Sequence, residues 1–225
     1  LFLFPKAIEK IRNEVKSLNT QIIAIANQKG GVGKTTTSVN LSSCLAARGK
    51  KVLLIDTDPQ SNASSGVGIE REAVQKSVYD VIINGDNIKD TIVSTDFHNL
   101  SLCPSNIDLA GAEIELVSEN SREYLLKNAV NVIKNDYDYI IIDCPPSLGL
   151  LTLNSFVCAD SIIIPIQCEY YALEGLSQLT NTIRKIKQTL YYGLQNQSLM
   201  QTRSRALRLL GFCSNSASVG ASPFL

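Results

Sequence analysis

Short apolar runs alternate with longer mixed stretches from about residue 21 to residue 190. Strands that are buried on both faces read as continuous apolar runs rather than as alternating ones. The pattern predicts such strands at residues 22–26, 52–55, 139–142 and 161–166, with a weaker candidate at 100–103. A helix is predicted at 34–48, between the first two runs. This βαβ order predicts an α/β fold with a doubly wound, mostly parallel sheet and helices on both faces.

Two further helices are predicted from apolar residues at helical spacing. Residues 5–18 carry Ile8, Ile11, Val15 and Leu18 at 3-4-3 spacing, which predicts a short amphipathic helix. Such a helix either packs on the domain, forms a loose extension or binds a partner. The second helix, at residues 171–190, places its leucines and isoleucines on one face and its basic residues off that face.

The strand and helix pattern stops after residue 190. Residues 191–225 show no apolar run of strand length bounded by turn signals, and they end in Ser, Ala and Gly. We expect a disordered or non-native tail, or alternatively a basic amphipathic helix at 199–210. The chain thus divides into an extension at 1–20, an incomplete domain at 21–190 and a divergent tail at 191–225.

Composition narrows the class of protein only modestly. The 225 residues are 44% hydrophobic and 19% charged with a net charge of zero, which is ordinary for a globular protein. No apolar run approaches the roughly 20 residues that cross a bilayer, so we expect a cytoplasmic protein without stable membrane association. From residue 175 onward the chain has basic residues and no acidic ones, a bias that suits either nucleic acid or solvent.

A glycine-rich segment follows the first predicted strand and opens the first predicted helix. Its residues are Gly30, Gly31, Val32, Gly33, Lys34, Thr35 and Thr36. In this context glycines let backbone N–H groups surround phosphate oxygens, and the helix N-terminus adds partial positive charge. Lys34 is expected to reach the β- and γ-phosphates, and Thr35 to bind Mg²⁺. The common pattern has glycine where this chain has Gln28, so the loop is a variant.

Carboxylates follow two of the predicted strands. Asp56 and Asp58 come at the end of the second strand, and Asp143 ends the run at 139–142. In open α/β sheets the carboxyl ends of the strands face the ligand. An aspartate there can hold the shell of a magnesium ion or orient water, whereas its alternative role is to cap the following helix.

The variant loop is part of a longer motif that begins at Lys29. Residues 29–36 spell K-G-G-x-G-K-T-T, which resembles the deviant Walker A box of the ParA/MinD family of P-loop ATPases. Residues 27–28, 58–62, 109–113 and 167–176 resemble the chromosomal ParA/Soj branch rather than MinD. The resemblance runs from about residue 22 to residue 190 and implies a P-loop NTPase whose C-terminal elements are missing here.

The resemblance implies a role for each site residue. Lys29 would reach across a dimer interface to the partner's nucleotide, and Asp58 would position or activate the attacking water. Asp143 would be the Walker B acid that acts on Mg²⁺ through water, and Asp56 would support it through the metal shell. The expected catalytic residues are Lys29, Lys34 and Asp58, the expected metal residues are Thr35, Asp56 and Asp143, and residues 29–36 would bind ATP.

At the level of function, the resemblance implies a weak, partner-stimulated ATPase for chromosome or plasmid partition. It would form an ATP-sandwich homodimer, bind DNA without sequence preference at the nucleoid and respond to a ParB-like protein. The alternatives are a MinD-like membrane-associated regulator and a non-functional remnant. We hypothesise that residues 191–225 come from a frameshift, a read-through or a damaged gene, which the nucleotide sequence would test.

Overall fold

The computed structural model describes residues 20–167, Asn181, Arg184 and the backbone of residues 208–214. In these ranges the sheet has seven strands in the order β3-β4-β2-β5-β1-β6-β7. Their bounds are β1 (Gln21–Ile25), β2 (Val52–Asp56), β3 (Val93–Ser94), β4 (Leu100–Cys103), β5 (Tyr139–Asp143), β6 (Ser161–Gln167) and β7 (Arg208–Ser214). All neighbours pair in parallel except β3, which runs antiparallel to β4.

Six α-helices lie between residues 20 and 167 and connect strands β1 to β6. They are α1 (Lys34–Ala47), α2 (Asn62–Gly66), α3 (Val78–Ile82), α4 (Leu109–Glu115), α5 (Leu125–Asn131) and α6 (Leu150–Cys158). The first of these confirms the helix predicted next to the glycine-rich loop. Short 3₁₀ turns occupy several of the remaining connections, among them residues 71–73 and 134–136.

The core lies on both faces of the sheet, as the continuous apolar runs require. Successive residues of β2 alternate between faces, so that Leu53 and Ile55 pack with α3 to α6 while Val52 and Leu54 pack with α1 and α2. Every side chain of β2 is buried. This arrangement confirms the predicted doubly wound, mostly parallel α/β fold.

Three cysteine thiols belong to this core rather than to any reactive site. Cys103, Cys144 and Cys158 are buried, and burial raises the pKa of each thiol to about 12. The thiols therefore stay protonated at neutral pH and pack as small apolar groups. Cys44, on α1, is exposed.

The prediction that residues 191–225 contain no strand is wrong. Residues 208–214 form β7, which pairs in parallel with β6 along its whole length. The segment Leu-Leu-Gly-Phe-Cys at 209–213 is apolar enough for a strand, and its glycine and flanking polar residues concealed it. Because β6 would otherwise be the edge of the sheet, it offers unpaired backbone groups to any such segment.

The remaining predictions for the chain ends fall on residues outside the described ranges. The predicted helix at 5–18 is among them, as is most of the helix at 171–190, of which Asn181 and Arg184 are described and helical. A helix at 199–210 is incompatible with β7 from Arg208 onward. The division at residues 20 and 190 stays a prediction.

Candidate functional site

The connection from β1 to α1 forms a tight loop at the carboxyl edge of the sheet. Gly31 and Gly33 have φ values of 72° and 88°, in the left-handed region where a side chain would be strained. Val32 between them is buried. Asn27 braces the entry, because its amide Nδ2 donates to the Pro165 carbonyl at 2.7 Å and its Oδ1 accepts from the Lys29 amide at 3.0 Å.

Lys34 is the first residue of α1 and is almost completely buried. Its side chain folds back over the loop, so that Nζ donates to the Lys29 carbonyl at 3.2 Å. Burial lowers the pKa of Lys34, while the negative charges of Asp143 and Asp58 oppose that shift. A buried ammonium group beside two carboxylates is therefore positioned at the mouth of the loop.

Two hydroxyl groups of α1 converge on the Asp143 carboxylate at the end of β5. Thr35 Oγ1 donates to Oδ2 at 2.8 Å, and Ser38 Oγ lies 2.6 Å from Oδ1. Thr35 and Ser38 are three residues apart and so share one helix face. The structure thus brings Thr35 and Asp143 together, and it adds Ser38, which the sequence analysis missed.

Asp56 and Asp143 are direct neighbours at the ends of β2 and β5. Both side chains are fully buried. Burial raises the pKa of Asp56 to about 7, and the charge of Asp143 adds to the shift. Burial also raises the pKa of Asp143 to about 6, against the lowering effect of its Ser38 and Thr35 hydrogen bonds.

Asp58 lies two residues beyond β2, at the carboxyl edge of the sheet. It is 7% exposed, and its Oδ1 accepts from the Gln60 amide at 2.9 Å. Its own amide donates to Asp56 Oδ1 at 3.1 Å. Asp58 therefore has a fixed backbone and lies close enough to Lys34 for their charges to interact.

The predicted residues divide into a buried group and an exposed group. Lys34, Asp56, Asp58 and Asp143 are buried at the carboxyl edge of the sheet, whereas Lys29 in the loop and Thr36 in the first turn of α1 are exposed. Ser64, which the sequence analysis also missed, bonds to Asp56.

The site combines a strand, a left-handed glycine loop and a helix that begins with a buried lysine, and carboxylates lie beside it on neighbouring strands. This arrangement defines a P-loop nucleotide-binding protein. The family model described as an AAA domain matches residues 20–199. The sporulation initiation inhibitor protein Soj of Bacillus subtilis is 56% identical over 191 residues, which cover 85% of this chain and 76% of that protein. The chain belongs to the ParA/Soj family of chromosome-partitioning P-loop ATPases.

Two further comparisons agree with this placement. The chromosome partitioning protein ParA of Myxococcus xanthus is 50% identical over 182 residues, which cover 81% of this chain and 64% of that protein. The crystal structure of cobyrinic acid a,c-diamide synthase from Mycobacterium smegmatis with bound ADP and magnesium has a TM-score of 0.76 at 39% identity. That match covers 86% of this chain and 74% of the other.

The part of the chain that the structure describes contains no helix with the length and apolar character needed to cross a bilayer.

Proposed function

We propose that this chain binds and hydrolyses Mg-ATP and uses the nucleotide to switch between monomer and dimer during DNA partition. The observation that carries the proposal is the burial of Lys34 at the mouth of the glycine loop, beside Asp58 and Asp143. The role in DNA partition is proposed from family membership, since the partition relatives share this part of the chain.

The glycine loop fits a polyphosphate. A Cβ built at Gly30, Gly31 or Gly33 would meet no atom within 4 Å, so the space beside the loop is open. The 14-residue helix α1 starts at the end of the loop and directs its N-terminal partial positive charge there. Lys34 would bind the β- and γ-phosphate oxygens, and backbone N–H groups of residues 30–36 would surround them.

The hydroxyl and carboxylate groups around Asp143 fit Mg²⁺, which prefers hard oxygen ligands. We assign the ion to Thr35 and to Asp143, the latter through a water molecule. Bound Mg²⁺ would neutralise charge on the phosphate oxygens. Asp56 was predicted to support the metal shell, but both of its oxygens accept hydrogen bonds from the chain.

Asp58 is the residue that we assign to the attacking water. Its Oδ1 is held by the Gln60 amide, and the carboxylate is placed beside the lysine that would bind the γ-phosphate. A carboxylate in this position orients water and accepts its proton as the oxygen attacks. Asp58 is then required for hydrolysis and is not required for binding.

Dimerisation is proposed through Lys29, on the exposed side of the loop. The Lys29 amide donates to Asn27 Oδ1, and this bond fixes the backbone position from which the Lys29 side chain extends. We propose that the Lys29 ammonium of one chain contacts the nucleotide of its partner, so that ATP is enclosed between two chains. Binding to non-specific DNA and to a ParB-like protein are further parts of the proposal, and they rest on the family alone.

Size-exclusion chromatography with light scattering tests the switch. The parent chain and Asp58→Ala should become dimers with Mg-ATP, whereas Lys34→Ala and Lys29→Ala should stay monomers. Lys29→Ala should still bind ATP in a filter assay, because its own site keeps Lys34. A parent chain that stays monomeric at saturating Mg-ATP would contradict the proposed switch.

A further inference from the structure

The Asp56 carboxylate is surrounded by donors from its own chain. Its Oδ1 accepts from the Asp58 amide at 3.1 Å. Its Oδ2 accepts from both the amide and the hydroxyl of Ser64, each at 2.8 Å. The side chain is fully buried. Both oxygens are therefore engaged by the segment that follows β2.

These bonds hold both ends of the segment that carries Asp58. Asp58 opens the segment and Ser64, in α2, closes it, so one carboxylate ties residues 58 and 64 to the end of β2. Between them Ser61 has φ 54°, in the left-handed region that residues other than glycine seldom adopt. Such a turn persists only where its surroundings hold it, and the Asp56 bonds supply that constraint.

A third element joins the same cluster. The Ser64 hydroxyl donates to Asp56 and accepts from the Ser105 amide at 3.3 Å. Ser105 is buried and follows β4 at the same edge of the sheet. The ends of β2 and β4 are thus connected to α2 through one carboxylate and one hydroxyl group.

Asp56 differs in this respect from its neighbour Asp143. The Asp143 oxygens accept from Thr35 and Ser38 at the glycine loop, where the nucleotide and Mg²⁺ are proposed to bind. The Ser64 amide and hydroxyl use both acceptor sites of Asp56 Oδ2, so a metal ion on that oxygen would displace a buried donor, and unpaired buried donors are costly. The contacts of Asp56 therefore favour a role within the chain.

We infer that Asp56 is a positioning residue, which acts with Ser64 to hold Asp58 in place for hydrolysis and does not ligate Mg²⁺. The inference rests on the proposed ATPase function for its catalytic meaning. Its structural part, the tether of residues 58–64 to Asp56, is independent of nucleotide. The two parts call for two measurements.

Amide hydrogen exchange of the nucleotide-free chain tests the tether. Ser64→Ala removes one hydrogen bond to Asp56 and leaves every proposed nucleotide and metal residue intact. Asp56→Asn replaces one acceptor oxygen by a donor. In both variants the amides of residues 58–64 should exchange at least about tenfold faster than in the parent. A segment opens more often when hydrogen bonds that hold it closed are removed. Unchanged exchange in Ser64→Ala would overturn the inference.

Asp160→Asn is the matched control, because Asp160 accepts the Ile22 amide at 3.0 Å before β6, at the opposite edge of the sheet. It should leave exchange in residues 58–64 unchanged. Equal acceleration in the control would mean that general destabilisation, and not the tether, governs the segment, which would also overturn the inference.

Steady-state kinetics test the catalytic meaning. Ser64→Ala should lower kcat about tenfold, with KM for ATP and half-saturation by Mg²⁺ within about twofold of the parent. A tenfold shift in Mg²⁺ half-saturation in Asp56→Asn, with kcat restored at high Mg²⁺, would assign Asp56 to the metal and contradict the inference. A parent chain without turnover would refute the proposed ATPase, while the exchange result would still decide the tether.

Discussion

The two edges of the sheet use the same interaction with different consequences. At the amino edge Asp138 accepts the Lys51 amide at 2.9 Å and Asp160 accepts the Ile22 amide at 3.0 Å. At the carboxyl edge Asp56 likewise accepts backbone amides. The amino-edge carboxylates are partly exposed and precede strands that are separated by β1, whereas Asp56 and Asp143 are fully buried and end adjacent strands.

Burying two like charges side by side costs stability, because each loses water and repels the other. A fold that needed only to tie a loop to a strand could do so with an exposed carboxylate, as the amino edge does. The burial and the charge of the carboxyl edge therefore indicate a functional site, whereas its hydrogen bonds alone do not. Clusters of perturbed carboxylates are typical of functional sites.

The largest effect should follow from Lys34→Ala at the carboxyl edge. Loss of a buried ammonium group from the phosphate loop should weaken ATP binding about 100-fold, the worth of one strong charge-assisted contact. A fluorescent ATP analogue titrated into each variant measures this. Lys50→Ala, which removes an exposed lysine beyond the other end of α1, should bind like the parent. Equal weakening in both variants would argue against the site.

Next in size is Asp58→Ala, which should separate hydrolysis from binding. Removal of the group that activates water typically lowers turnover about 100-fold or more. ATP affinity should stay within about threefold, because Asp58 contacts no phosphate in the proposal. Phosphate release measured at saturating ATP, together with the binding titration, gives both values. Retained turnover in Asp58→Ala would remove it from the mechanism.

A smaller effect is expected from pH in the nucleotide-free chain. The folded pKa values of Asp56 and Asp143, about 7 and about 6, lie above the ordinary value of 3.8. The folded chain thus holds these protons more tightly than the unfolded chain does. The resulting stabilisation is complete below about pH 4 and is lost as the pH rises through 6 and 7.

Asp56→Asn removes one of the two titrating groups and isolates this effect. Between pH 4 and pH 8, the free energy of unfolding of the parent should fall relative to that of Asp56→Asn by on the order of 2 kcal/mol. Urea unfolding at both pH values provides the comparison. Parallel pH dependence in the two chains would show that Asp56 titrates normally.

The smallest effect should come from Asp160→Asn at the amino edge. Weakening one partly exposed hydrogen bond to a backbone amide should lower the free energy of unfolding by about 1 kcal/mol. ATP affinity and turnover should be unchanged, since Asp160 lies at the opposite edge from Lys34. A loss of ATP binding in this variant would break the distinction between the two edges.

Much of the fold could be predicted because a strand that is buried on both faces needs apolar residues at successive positions. Such a strand appears in the sequence as an unbroken apolar run. The strands at residues 52–56 and 139–143 follow directly from such runs. The two-residue strand β3 is too short to leave a pattern, and it pairs only because β4 presents an edge. Strand β7 was missed because its pairing depends on the free edge of β6, which a local pattern does not reveal.

The site residues could be predicted where the order of strands, loop and helix along the chain places a residue at the carboxyl edge of the sheet. Lys34 and Thr35 open a helix after a glycine loop, and Asp143 ends a strand, so their meeting follows from topology alone. Ser38 had a local signal, since it shares the helix face of Thr35. Ser64 had none, because its bond to Asp56 depends on how residues 57–63 turn back toward β2.

The most direct test of the central claim, that the carboxyl edge is a Mg-ATP site, is calorimetric titration of the parent chain with ATP in Mg²⁺ and in EDTA. We predict saturable binding of about one nucleotide per chain in Mg²⁺, weakened at least about tenfold in EDTA, because Thr35 and Asp143 would hold the ion. No saturable binding in Mg²⁺, or equal affinity in both buffers, would contradict the account.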